Sequence, residues 1–380
     1  MIEAVTQLID AACDLGDPPA VACAVIHRGA LVHSSAHGGD ATGPTTTKSV
    51  FDVASVSKVL ATTVAVARLV SDGALTFDTD VRGVLPDYPH TSSVRALLGH
   101  RSGLAAWRPF FVEVMQDPIA GRAFIERGAP SDAFTRGRAL VLEGVFATPL
   151  EHPGKRVYSD LGFITLGALV EAVAGASLEV FSRAHFAEDM GFVNLAQSDR
   201  WLDDRHVPPT GQTRPREPAP GQEALFTVPE QTPRPDARRV DDDNAFAMGG
   251  VAGHAGVFAT AEAVARFGSR ILDTAEGGDA LGVSPAVMEQ LMRIDPADGP
   301  ARALGFDVPT GTTSTAGTLG RGPKGAVGHL GFTGCSLWMD RDRQLSVALL
   351  TNRTFPGRRH VKGIRALRPL VHSAVAAATR

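Results

Sequence analysis

The stretch Phe51–Val70, FDVASVSKVLATTVAVARLV, is apolar on nearly every face, and it constrains the fold more than any other part of the 380-residue chain. A helix that is apolar all round belongs at the centre of a large protein or in a membrane. Asp52, Lys58 and Arg68 interrupt this one, so the sequence predicts a central buried helix from about Ser55 to Ser71, stopped at Asp72-Gly73. Burying it requires other elements on every side. A chain of 380 residues that is 44% hydrophobic has enough material for one large domain or two intimate ones. Ser55 and Lys58 stand three residues apart near the helix start and so share a face. The first turn is where free N–H groups and the helix dipole favour developing negative charge. A hydroxyl beside an amine there is either an activated nucleophile or a surface serine near a solvated lysine.

The flanking sequence suggests what surrounds the helix. MIEAVTQLIDAACDLG reads as an amphipathic helix; it has acidic residues and no basic n-region, so it is not a signal peptide, and the expected location is cytoplasmic. VACAVIHRGALVHSSAHG alternates loosely and turns at Arg28-Gly29, as an antiparallel hairpin does. Helical segments follow, among them SSVRALLGH and LGFITLGALVEAVAG, the second stopped by Gly175. Residues 203–243 shift to Pro, Arg, Asp and Gln, which reads as a long ordered loop over a cleft, and 309–325 is a second Gly/Thr-rich loop. GCSLWMDRDRQLSVALLTN reads as two strands about a polar turn at Asp340–Arg343, followed by a closing helix. The predicted class is therefore α/β of the α+β kind: one antiparallel sheet built from 1–60 and 300–380, flanked by the terminal helices, with 61–299 inserted as a mainly helical lobe. A small-molecule site is expected in the cleft between sheet and lobe.

Composition removes several function classes. A formal net charge of −4 leaves no footprint for nucleic acid or an anionic membrane. Cys13, Cys23 and Cys335 are odd in number and far apart, which suggests neither a disulfide framework nor a zinc site; they read as small buried hydrophobes. No metal and no organic cofactor is expected.

Three polar clusters remain. Lys58 is the only one of five lysines with a serine three residues before it. Tyr158, one of only two tyrosines, opens YSD directly before a predicted helix, and His329 with Gly331 opens what reads as a strand in GHLGFTGCSLWMD. Alone, each has a plain structural reading. In the order S-V-S-K, Y-S-D, H-L-G, joined by LLGHRSGL at Leu97–Leu104, DDDNAFAMGGVAGHAGVFATA and the closing LLTNRTFP, they resemble a known family. It is that of the serine β-lactamase-related hydrolases with a tyrosine-containing second motif: class C β-lactamases, D-alanyl-D-alanine carboxypeptidases of that branch, and esterases on the same β-lactamase/transpeptidase-like fold.

The resemblance covers most of the chain and implies roles residue by residue. It implies Ser55 as nucleophile, Lys58 as its amine partner, and Tyr158 as the general base that later protonates the leaving group. Asp160 falls where the family often has Asn, and His329 where many β-lactamases have Lys. The implied oxyanion hole is the backbone N–H of Ser55 with that of Phe332, just after Gly331. Leu97–Leu104 reads as scaffold and His254 as a packing residue. Two departures bear on chemistry. A histidine with an ordinary pKa of about 6.5 is mostly neutral at pH 7 and anchors an anion less well than lysine. A carboxylate at Asp160 near Lys58 would hold the ammonium charged, and that charge would favour the phenolate of Tyr158. The expected function is a serine hydrolase working through an acyl-enzyme on small carboxylic esters or amides, with weak or incidental β-lactamase activity. Its expected partner is a small-molecule substrate, and no oligomeric state follows from the sequence. D-amino-acid peptidase or D,D-carboxypeptidase, β-lactamase, acyltransferase, and a non-catalytic binding protein of the same fold are the alternatives.

Overall fold

In the computed structural model, residues 1–379 are described apart from 41–42, 127, 198–200, 212–238, 297–300 and 312–313. Strands β1 (Ala20–His27), β2 (Ala30–Asp40) and β3 (Gly43–Pro44) come from the start of the chain. Strand β4 (Phe51–Asp52) immediately precedes the central helix, and β5 (Met190–Phe192) and β6 (Val257–Ala259) lie in the middle. The last five are β7 (Arg302–Ala303), β8 (Phe306–Asp307), β9 (Ala326–Leu330), β10 (Ser336–Asp340) and β11 (Leu345–Thr351). Eight of them form one sheet in the order β3-β2-β1-β11-β10-β9-β8-β7, and β4-β6-β5 form a second, small sheet. The β1–β11 pairing, antiparallel from Val21↔Thr351 to His27↔Leu345, joins the two ends of the chain. Arg28 and Gly29, both left-handed at φ 50° and 79°, make the tight turn between β1 and β2.

Both faces of the large sheet are covered. Val21, Cys23 and Val25 point to one side, where Trp338, Val347 and Leu349 join Val5 and Ile9 of the N-terminal helix Glu3–Asp14 and Val371 and Val375 of the C-terminal helix Lys362–Ala378. Ala22, Ala24 and Ile26 point to the other, where Leu337, Met339 and Leu350 meet Val264, Phe267 and Ile271 of the helix Ala261–Ala275. A strand buried on both faces loses its apolar–polar alternation, which is why β1 alternates only loosely. The helix Ala261–Ala275 lies close on β11 because of Gly268, where a Cβ would come within 2.3 Å of Ser346 Oγ.

The central helix is irregular where its polar residues sit. It opens as a 3₁₀ turn at Ala54–Val56, widens to a π-helix over Lys58–Thr63 and becomes α-helical only from Val64 to Ser71. Residues 56–67 are all buried, so most of its apolar length is spent inside the protein. The third motif departs from expectation. His329 lies near the end of β9, Gly331 lies in the turn that follows, and the next strand starts only at Ser336. Of the loop expected over 203–243, residues 212–238 lie outside the described residues. Its ends pack inward: Val207, Val240 and Asp241 are buried, and Asp241 N–H donates to Asp52 at 2.7 Å. Of the 309–325 loop, 312–313 lie outside the described residues, and Ala316 and Leu319 are buried against the terminal helices.

Candidate active site

The first turn of the central helix, the start of the helix Asp160–Ala174 and the end of β9 converge on a cleft of about 470 Å³. Ser55, Tyr158, Asp160, His329, Gly331 and Phe332 all line it, and Lys58 lies directly beneath, fully buried. The residues singled out in the sequence are thus brought together. Lys58 Nζ donates to Ser55 Oγ at 2.9 Å and to the carbonyl of His254 at 3.1 Å, and pairs with Asp160 Oδ1 at 2.7 Å. It also lies 5.0 Å from the centre of the Tyr158 ring.

Tyr158 is clamped from both sides by the run 97–104. The N–H of Val157 donates to His100 O at 2.9 Å, that of Ser159 to His100 Nδ1 at 3.1 Å, and the His100 ring lies 4.7 Å from the Tyr158 ring. Burial holds His100 well below its ordinary pKa, so the clamp is neutral. Ser159 caps the helix Asp160–Ala174 by accepting from Gly162 N–H at 3.2 Å. With Ser159 turned to the backbone, its neighbours Tyr158 and Asp160 are left facing Lys58.

Electrostatics corrects one expectation. Burial pulls Lys58 down, but Asp160 and Tyr158 outweigh it and the pKa ends raised, as the sequence suggested. Tyr158 does not follow as a phenolate. Burial pushes its phenol up to about 12, and the lowering from Lys58 and from hydrogen bonds to Lys58 and Ser55 does not offset that. The resting trio is therefore an ammonium, a phenol and the Asp160 carboxylate. His329 is lowered to about 4, chiefly by burial, so it is neutral across the physiological range. Its Nδ1 donates to Leu330 O at 2.9 Å, which leaves Nε2 as an acceptor with no partner among the described residues. The two exposed-side arginines of the cleft already hold carboxylates: Arg302 pairs with Asp307, and Arg358 with Asp243 at 3.1 Å and Asp241 at 3.0 Å.

Several residues here escaped the sequence reading. His254, expected only to pack, presents its carbonyl to Lys58, while its ring pairs at 2.8 Å with Asp242, which lines the cleft. Arg368 of the C-terminal helix donates to the carbonyls of Gly331, Gly334 and Cys335 at 2.8, 3.1 and 2.7 Å and so fixes the turn after β9. Nothing in the local sequence marked Arg368. Asp242 and His254 both lie in the stretch DDDNAFAMGGVAGHAG, whose residue types alone carry no chemical signature. Gly331 has a steric reason as well: a Cβ there would meet Val53 O at 2.5 Å, so the third-motif turn backs directly onto the turn that carries Ser55.

The sequence profile of the Beta-lactamase family matches residues 5–371. The chain therefore belongs to the β-lactamase family, whose members are hydrolytic serine enzymes. Among its relatives is a "Putative D-alanyl-D-alanine carboxypeptidase" of Escherichia coli (strain K12), 25% identical over 328 residues, which cover 81% of this chain and 70% of that protein. An N-acetylmuramyl-L-alanine amidase of Bacillus subtilis (strain 168) is 26% identical over 81% of this chain and 68% of its own. The same fold is seen in EstCE1, a hydrolase with promiscuous acyltransferase activity, with a TM-score of 0.67 at 20% identity over 97% of this chain and 98% of that one. It is seen again in the D-amino acid amidase of Ochrobactrum anthropi SV3, with a TM-score of 0.69 at 18% identity over 100% and 99%.

Proposed function

We propose that this protein is a serine hydrolase that forms an acyl-enzyme on Ser55 from small, uncharged carboxylic esters, with amides as the second substrate class. The observation that carries this reading is Lys58 Nζ at 2.9 Å from Ser55 Oγ, on the floor of a cleft that Tyr158 also faces. Such a nucleophile with an amine and a phenol in reach is what acyl transfer needs. Ser55 Oγ bonds to the substrate carbonyl carbon and gives its proton to Tyr158 in its phenolate form, which Lys58 and its charge support. Backbone N–H groups of Ser55 and Phe332 receive the oxyanion. The bond to the alkoxide or amine breaks as Tyr158 returns the proton to that leaving group. Water then repeats the sequence on the acyl group, releases the acid and restores the Ser55 hydroxyl.

The preference for uncharged substrates rests on what faces the scissile bond. His329 is a neutral acceptor, and Arg302 and Arg358 are occupied by Asp307 and by Asp241 and Asp243. The third guanidinium lining the cleft, Arg368, gives its Nε and Nη2 donors to the carbonyls of Gly334, Gly331 and Cys335, so each of these arginines is already engaged before the carboxylate of a β-lactam or a peptide C-terminus arrives. The unpartnered His329 Nε2 favours a substrate N–H, which supports amides as the second class and fits relatives named as amidases. The test is intact mass after incubation with p-nitrophenyl acetate, a chromogenic cephalosporin and a D-Ala-D-Ala peptide, followed by turnover of each. Acylation at Ser55, lost in Ser55→Ala, with faster turnover of the ester, is the expected result. Labelling at Ser57 or Ser159 overturns the nucleophile, and equal turnover of cephalosporin and ester at about pH 8, where carboxylates are fully ionised, overturns the substrate preference.

A further inference from the structure

Beneath the nucleophile lies a carboxylate that the chemistry above does not use. Asp52 ends β4, three residues before the 3₁₀ turn's Ser55, and is buried with 1% of its surface exposed. Between them Ala54 is held at φ 48°, a left-handed conformation that L residues other than Asn and Asp rarely adopt. Asp52 Oδ1 accepts the N–H of Ala54 at 2.8 Å and so braces the strained residue itself. Its other oxygen accepts the N–H of Asp241 at 2.7 Å, which ties the turn to the segment whose next residue, Asp242, lines the cleft. Its main chain reaches the third motif as well: Thr333 Oγ1 donates to Asp52 O at 2.9 Å, and Cys335 Sγ lies 3.5 Å from the same oxygen.

We propose that Asp52 is a positioning residue for acylation: its carboxylate holds the strained turn that presents Ser55, and its carbonyl holds the turn that presents Phe332, so one buried residue sets the spacing of the two oxyanion donors. The proposal rests on Ser55 and Phe332 having those roles. The physical need is clear from the strain. Without an acceptor for its N–H, Ala54 would relax toward ordinary helical φ, and the N–H of Ser55 would swing with it. Misplacement on the order of 1 Å in such a site costs about 10²-fold in rate.

The brace has an acid limit. Burial, with Asp241 and Asp242 adding to it against the two N–H bonds, raises the Asp52 carboxyl to about 7. The other charged or titratable groups around it are Cys335 from the third-motif turn, whose thiol is raised to about 11, and Arg358 and Arg353, which lie beyond Asp241. Protonating Asp52 weakens one of its two acceptors, so positioning is lost as the pH falls below about 7 and is complete above it.

The experiment compares wild type with Asp52→Asn, whose amide accepts one N–H and turns a donor toward the other. The rate of fluorophosphonate labelling at Ser55 and kcat for p-nitrophenyl acetate should both fall about 10- to 100-fold with KM little changed, while circular dichroism and the melting curve stay near wild type. In wild type the logarithm of kcat/KM should steepen below about pH 7, and in Asp52→Asn that extra slope should be gone. Wild-type labelling rate and pH profile in folded Asp52→Asn overturn the proposal and leave the nucleophile in place. Failure of wild type to label at Ser55 overturns the underlying reading instead. If Asp52→Asn does not fold, Thr333→Val reads the same link, since it removes only the hydroxyl that donates to Asp52 O. There a loss of kcat at constant KM supports the coupling, and unchanged kinetics reject it.

Discussion

Asp160 stands 2.7 Å from a fully buried lysine, and one carboxylate there changes the acid–base state of the whole trio. Burial raises Tyr158 and Asp160 adds to it, while on Lys58 Asp160 and Tyr158 outweigh burial, so both groups keep their protons at neutral pH. The base form, one proton short, grows as pH rises toward these elevated values. Turnover of p-nitrophenyl acetate should therefore climb from neutral into alkaline pH. Asp160→Asn removes a raising influence on both groups and should move that limb down by about one pH unit, since a single nearby charge is worth that much or more. Tyr158→Phe should lower kcat by about 10²–10⁴-fold at every pH, the usual loss of a general base. Steady-state kinetics of the two variants over the alkaline range decide this. An unmoved limb in Asp160→Asn would mean that the Lys58–Tyr158 pair does not control the rate.

At the level of elements, the central helix is positioned less by its own propensity than by the loop that crosses it. Gly253 O accepts from Thr62 Oγ1 at 2.6 Å and His254 O from Lys58 Nζ at 3.1 Å, so this loop satisfies two buried polar side chains of an otherwise apolar helix segment. It reaches them because two glycines meet. A Cβ on Gly253 would lie 2.0 Å from Phe163 O and 2.9 Å from Gly167 N, on the helix that begins at Asp160. Gly253→Ala should thus push the loop away from both helices at once. Over-packing of this kind costs about 1–3 kcal/mol. The expected outcome is a lower Tm together with reduced kcat, because the carbonyl on Lys58 moves with the loop. Thermal melts and ester kinetics on one preparation check it, and a wild-type Tm would show that the crossing has room to spare.

For the molecule as a whole, the β1–β11 pairing closes a sheet from the two ends of the chain and sandwiches it between the terminal helices and the helix Ala261–Ala275. Phe267, 2% exposed, lies on the lobe side of that sheet and away from the cleft lining. Phe267→Ala should cost about 3–5 kcal/mol, as expected for deleting a buried aromatic ring. It should leave kcat/KM of the folded protein unchanged, since nothing at Ser55 depends on it. Urea unfolding and ester turnover separate the two effects. A large kinetic loss in Phe267→Ala would mean that the sheet-to-helix contact transmits strain into the cleft.

Spacing along the chain was enough for what depends on near neighbours. The Ser55–Lys58 pair follows from helical spacing and the Arg28-Gly29 turn from backbone preference. The order of the three motifs carried the family and the fold. Spacing could not reveal the partners that only a chain crossing brings together: Asp52 with Asp241, 189 residues on, or Lys58 with His254, 196 residues on. Nor could it show that Tyr158 rests as a phenol. A neighbouring ammonium argues for the phenolate, and the opposing cost is desolvation, which depends on how completely the folded protein excludes water from that ring. Local sequence names the charges. The surrounding packing sets how much each of them costs, and that decided the resting state of this site.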